Sequence, residues 1–259
     1  MKHFALLLFL AAIKLSAFSA DRDTLSLQSS TSSIIDSLKQ QLNTTGNDSL
    51  KAGVYTRIAD QYLKYDTITD KKKKLYYQNQ ALNFTMLALH GYSRYNDTVG
   101  LIITFNNLAR VYRSQRKFSQ AKWFILQSNT LSREKNDQAN IIASLTELAG
   151  IKMDIKDYSL AMRDLDEALQ LSAANRYPLA EASVQQSYAL LYSHLKKYDK
   201  EAIAMRRYNA ILDSIKKGEE AKLVVKLNAQ NLAQRKKKLN LISYKRPYKA
   251  NSAKKISSI

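Results

Sequence analysis

The 259 residues include no cysteine, which excludes disulfides, thiolate metal sites, a cysteine nucleophile and a lipid-modified cysteine. Six glycines and two prolines suit long helices joined by short turns and leave no glycine-rich phosphate loop. The formal net charge of +19 is concentrated: from Lys216 onward thirteen Lys/Arg stand against two Asp/Glu, so the remainder is only mildly basic.

In chain order, Lys2 precedes an apolar run from Phe4 to Ile13, and Ala17-Phe18-Ser19 supplies small residues before Ala20. This is the layout of a secretory signal peptide over residues 1–19, cleaved after Ser19, and it predicts a periplasmic or secreted mature protein. Lys14 leaves the apolar run too short for a membrane span. Residues 20–49 read as a polar linker with a short leading helix from about Ser33 to Leu42. Helical pairs occupy 50–215. The first is interrupted by Thr67–Lys74, whose four consecutive lysines suggest an exposed insertion between helices. Asp97 and Asp137 are placed to cap the first helices of the next pairs, and Pro178 to open the last. A basic helix is expected over 216–242. Ile211, Gly218, Val225, Leu232 and Leu239 fall seven apart on it, the spacing of a short coiled-coil stub. Residues 243–259, rich in Lys, Ser and Asn and holding Pro247, predict a disordered basic tail. No stretch of the mature chain is apolar for long enough to span a membrane.

One phrase recurs through the helical region. Leu108-Ala109-x-x-Tyr112 with Phe118-x-x-Ala121 returns as Leu148-Ala149-x-x-Lys152 with Tyr158-x-x-Ala161, and again as Tyr188-Ala189-x-x-Tyr192 with Tyr198-x-x-Glu201. A looser first copy begins Ile58-Ala59-x-x-Tyr62, so the alanine anchors lie 50, 40 and 40 residues apart. A repeat of this length on helical spacing predicts an all-α solenoid of about four antiparallel helix pairs, each burying its apolar face against its neighbours. Small residues let paired helices approach, and aromatic residues fill the space toward the next unit.

These residues resemble the tetratricopeptide repeat over roughly residues 50 to 215. Lys152 in place of the usual aromatic, Glu201 in place of alanine and the longer interval depart from that pattern. The longer interval predicts longer helices. The sequence of export signal, repeats and lysine-rich helix further resembles the extracytoplasmic sensor half of bacterial tetratricopeptide-repeat histidine kinases. Here the basic helix leads to neither a membrane span nor a kinase motif, so the resemblance implies a stand-alone or truncated sensor half.

No G-x-S-x-G, H-E-x-x-H or paired-carboxylate constellation stands out, and His3, His90 and His194 are too few and scattered for a metal site. The expectation is a protein without catalytic residues, metal or cofactor that binds a protein or peptide partner. The alternative is a ligand-sensing half of a split two-component-type signalling system, with a membrane kinase as partner. The basic C-terminal region points to an anionic envelope surface, and nucleic acid is not expected for an exported chain. In the resembled family the first helix of each pair lines the binding groove. The face away from the Leu-Ala-Tyr core carries Asn106, Arg110 and Arg113 in the second repeat, with Gln186 and His194 as candidates in the fourth.

Overall fold

A computed structural model describes residues 32–65 and 68–256, with side chains placed as far as residue 237. The signal peptide expected at 1–19, the first part of the linker and residues 257–259 lie outside the described residues.

The described residues form nine helices and no strand. A leading helix α1 covers 32–44. Four antiparallel pairs follow: α2 (Asp48–Tyr62) with α3 (Lys71–Arg94), α4 (Thr98–Ser114) with α5 (Phe118–Glu134), α6 (Gln138–Asp154) with α7 (Tyr158–Ala174), and α8 (Pro178–His194) with α9 (Tyr198–Ile256). First helices of successive pairs also touch, α2 with α4, α4 with α6 and α6 with α8, which makes them the inner wall and the second helices an outer layer. The architecture is the all-α solenoid that the repeat predicts.

From α4 to α8 each helix has 17 residues, about 25 Å, followed by a three-residue turn. The true unit is therefore a half-repeat of twenty residues, and it is fixed by backbone chemistry. Asp97, Asp137 and Asp157 accept hydrogen bonds from the amides of Gly100, Asn140 and Leu160 and so satisfy free donors at the starts of α4, α6 and α7. Pro178 opens α8, where its missing N–H is harmless. Each helix ends on a left-handed residue: Asn96, Arg116, Asn136, Lys156, Arg176 and Lys196, with φ between 52 and 65°. The next amide in each turn reaches back five residues, as Asp157 N does to Lys152 O (2.8 Å) and Lys197 N to Tyr192 O (2.9 Å), closing the helix end. Asparagine tolerates this conformation, whereas lysine and arginine pay a steric penalty that glycine avoids. Lys156→Gly and Lys196→Gly are each expected to stabilise the protein by about 1 kcal/mol, roughly 2–4 °C in a thermal melt. A fall in melting temperature would show that these side chains hold contacts worth more than the strain.

The core follows the alanine ladder. Ala59, Ala109 and Ala149 on first helices and Ala81, Ala121 and Ala161 on second helices are all fully buried, and Ala109 shares one cluster with Ala121, as Ala149 does with Ala161. Beside the ladder, each pair places one residue from either helix face to face. Tyr62 stacks on Phe84 (centroids 5.8 Å, 8°) and Tyr112 on Phe124 (5.4 Å, 1°). In the third pair the same two positions hold Lys152 and Asp164, which form a hydrogen-bonded ion pair with side chains only 5% exposed. The lysine that departs from the repeat pattern thus has its own partner on α7. In the fourth pair Tyr192 faces Ala204.

Two expectations are corrected. Lys71–Lys74 do not lie in an insertion between helices: they form the first turn of α3, where Asp70 accepts from the amides of Lys72 and Lys73. Lysine is a good helix former, and with that cap a run without apolar periodicity can still start a helix. The ten extra residues of the first repeat are shared between the α2–α3 connection and a longer α3. At the other end the backbone stays helical to Ile256, where a disordered tail is expected from residue 243. Lys, Arg and Ala make up half of residues 243–256 and are good helix formers, and Pro247 removes one amide donor without ending the helix. α9 is about 88 Å long. Beyond Ile215 every side chain described is exposed, including Leu223, Val225 and Leu232.

Candidate functional site

The inner wall is held by polar links between successive repeats. Asn107 on α4 donates to Asp60 on α2 (3.0 Å), and the Tyr65 hydroxyl, just after α2, donates to the Arg110 carbonyl (3.1 Å). Arg113, near the end of α4, reaches across to α6: Nε donates to Asp154 at 2.6 Å and Nη1 to Glu147 at 3.2 Å. Burial by itself lowers the pKa of this guanidinium, but the hydrogen bond to Asp154 and the charge of Glu147 outweigh it and leave the pKa raised. Arg113 therefore stays charged.

Gly150 makes this bridge possible. A Cβ at that position would stand 2.5 Å from Arg113 Nη1 and 2.8 Å from its Cζ. Glycine inside a helix costs about 0.5–1 kcal/mol relative to alanine, and here that cost opens the slot the guanidinium occupies. With the forty-residue register, Gly150 stands where Arg110 stands one repeat earlier.

Tyr65, Arg110, Arg113, Ser114, Glu147 and Asp154 surround a depression of about 370 Å³ with a largely polar lining. Arg110 and Arg113 meet there, yet differ in state. Arg113 is half-buried and committed to two carboxylates; Arg110 is exposed and belongs to no ion pair among the described residues. Asn106, one turn earlier, is half-buried, with Oδ1 sealed from solvent and lacking a hydrogen-bond partner among the described residues. Gln186 occupies the equivalent place in the fourth repeat, is exposed, and lines a separate hollow of about 380 Å³ with Leu190, Ser193, Glu201 and Met205. His194 is not brought to either hollow. Its ring stacks on Tyr158 of α7 (5.8 Å, 24°), and in the repeat register it matches Ser114, so Ser193 is the counterpart of Arg113.

Sequence reasoning misses Tyr65, Glu147, Asp154 and Gly150. The available signal is Gly150 itself, an isolated glycine amid a helical pattern with an acid on either side. Among the described residues no group of three or more His, Cys, Asp and Glu side chains is placed to hold a metal ion, and no helix is long and apolar enough to cross a membrane.

No family model matches this chain, and neither does any curated relative. Solved structures do. One is BtubC (BKLC) of P. vanneervenii, with a TM-score of 0.56 and 16% identity over 69% of this chain and 72% of that one. Another is a signal-transduction ATPase with numerous domains from Pyrococcus horikoshii that carries a tetratricopeptide-repeat sensor; the TM-score is 0.55 and the identity 17% over 74% of this chain. This chain spans only 28% of the ATPase's length. At these identities the likeness is one of fold, a helical-repeat solenoid of the tetratricopeptide type.

Proposed function

We propose that the chain is a non-enzymatic, exported interaction module that holds an acidic peptide or protein segment against the inner wall of its solenoid. The observation that carries the reading is the contrast between the two arginines of the α4 depression. Arg113 is neutralised by Glu147 and Asp154 and fixes the wall, whereas Arg110 presents an unpaired cation beside it. A guanidinium in that state suits a carboxylate, and the amide of Gln186, in the separate hollow two repeats further along, suits a peptide backbone. Export rests on the leader-like first nineteen residues.

The unbroken α9 favours a second reading, in which the chain is the ligand-sensing half of a split signalling system. One helix packs on α8 through Ala204 and then projects about 60 Å beyond the last repeat, a rigid path from an occupied groove to a membrane kinase. The repeats of the Pyrococcus ATPase are themselves described as a sensor. The lysines of this helix suit an anionic envelope surface, a contact that salt weakens.

Selection from a random peptide display library tests the groove. Enriched peptides are expected to carry Asp or Glu, and Arg110→Glu is expected to weaken them at least tenfold, about 1.4 kcal/mol. Peptides without acidic residues, or affinities unmoved by Arg110→Glu, would remove the site.

A further inference from the structure

A third hollow shares no residue with the two described above. It lies among α7, α8 and α9, has a volume of about 330 Å³, and takes its apolar lining from Leu169, Tyr188, Tyr192, Ile203 and Ala204. Its origin is a missing ring. In the first two pairs a phenylalanine on the second helix, Phe84 or Phe124, stacks on the tyrosine of the first helix. Ala204 stands at that position in the fourth pair, so Tyr192 has no phenylalanine over it. Tyr188 stacks beside Tyr192 (5.9 Å, 19°), and the Lys200 ammonium lies 5.7 Å from the Tyr192 ring centre.

The polar groups of the hollow are unevenly committed. Asp166 accepts the hydroxyl hydrogen bond of Tyr188, which ties that carboxylate to the wall. Lys200 and Arg207 also line the hollow, are exposed, and form no ion pair among the described residues. An aromatic floor with two cations at its edge that have no carboxylate partner is complementary to a planar ring that carries an anion. We propose that this hollow binds a small aromatic carboxylate, with its ring in the place of the missing phenylalanine over Tyr192 and its carboxylate between Lys200 and Arg207. The helix that forms one wall is α9, so occupancy braces the root of the projecting helix.

Isothermal titration of the full chain with benzoate, phenylacetate, 3-phenylpropionate and indole-3-acetate tests this. At least one acid is expected to bind saturably, with its alcohol counterpart and its cyclohexyl counterpart each about tenfold weaker or worse. Ala204→Phe restores the ring found in the first two pairs and is expected to abolish binding while the thermal melt holds or rises. Lys200→Ala is expected to weaken binding severalfold with the fold intact, and it decides the matter should Ala204→Phe fail to fold. Arg110→Glu, on the inner wall, is expected to leave binding unchanged, which separates this site from the groove. No saturable binding by any of the four acids, equal binding of a cyclohexyl analogue, or undiminished binding by folded Ala204→Phe or Lys200→Ala overturns the proposal.

Discussion

Replacing Lys152 by alanine is expected to destabilise the protein by about 3–5 kcal/mol, the cost of breaking a buried ion pair from one side. Both side chains of the Lys152–Asp164 pair are 5% exposed, so the variant strands a carboxylate away from water. Arg163, with Nη2 3.7 Å from Asp164 Oδ1, offers a weak substitute from the surface and places the effect toward the lower end of that range. The double replacement Lys152→Tyr with Asp164→Phe should behave differently. It converts the third pair to the Tyr112–Phe124 arrangement of the second, and buried ion pairs are commonly replaced by apolar contacts at no loss or with a gain. Urea unfolding of the wild type, Lys152→Tyr, Asp164→Phe and the double variant gives the coupling directly. A double variant as unstable as Lys152→Ala would show that the two sites are not equivalent in packing.

The second large effect is expected at Ala149. It is fully buried in the cluster that holds Ala161, Leu165 and Ala189, where α6 approaches both α7 and α8. Ala149→Leu forces extra methyl groups into that contact and is expected to cost about 1–3 kcal/mol through overpacking. Ala143→Leu, exposed on the same helix, is the control and should stay within about 0.5 kcal/mol of wild type. Equal melting curves for the two variants would mean that alanine at 149 does not set the approach of these helices.

What was legible in the sequence was what repeats locally. Ala109 and Ala121, Ala149 and Ala161, the caps at Asp97 and Asp137 and the opening Pro178 each announce themselves within a few residues, and each stands where expected. Lys71–Lys74 lack an apolar face and so carry no helical periodicity; the local mark of a helix there is Asp70, a cap just ahead of good helix formers. The left-handed turn residues Arg116, Lys156, Arg176 and Lys196 carry no sequence mark at all, since the hydrogen bonds that enforce them are made by backbone groups.

The site was legible in part. Helical spacing puts Arg110 and Arg113 on one face of α4, but their different states depend on Glu147 and Asp154, more than thirty residues away from Arg113 and brought near only when α6 packs on α4. His194 illustrates the opposite fault. One residue of register separates it from Ser193, and on a helix one residue is a different face. The fourth pair departs furthest from the repeat: Glu201 takes the anchor position of Ala121 and Ala161, and the buried Ala204 takes that of Phe124.

Site-specific photo-cross-linking shows whether the inner wall is the partner-binding surface. A photoreactive amino acid is placed in turn at Arg110 and Gln186 on the inner wall and at Arg163 and Gln170 on the outer layer, and the protein is irradiated in envelope extract. Adducts with one discrete partner from positions 110 and 186, and none from 163 and 170, are the predicted result. Adducts from the outer positions alone would mean that partners dock on the second helices instead.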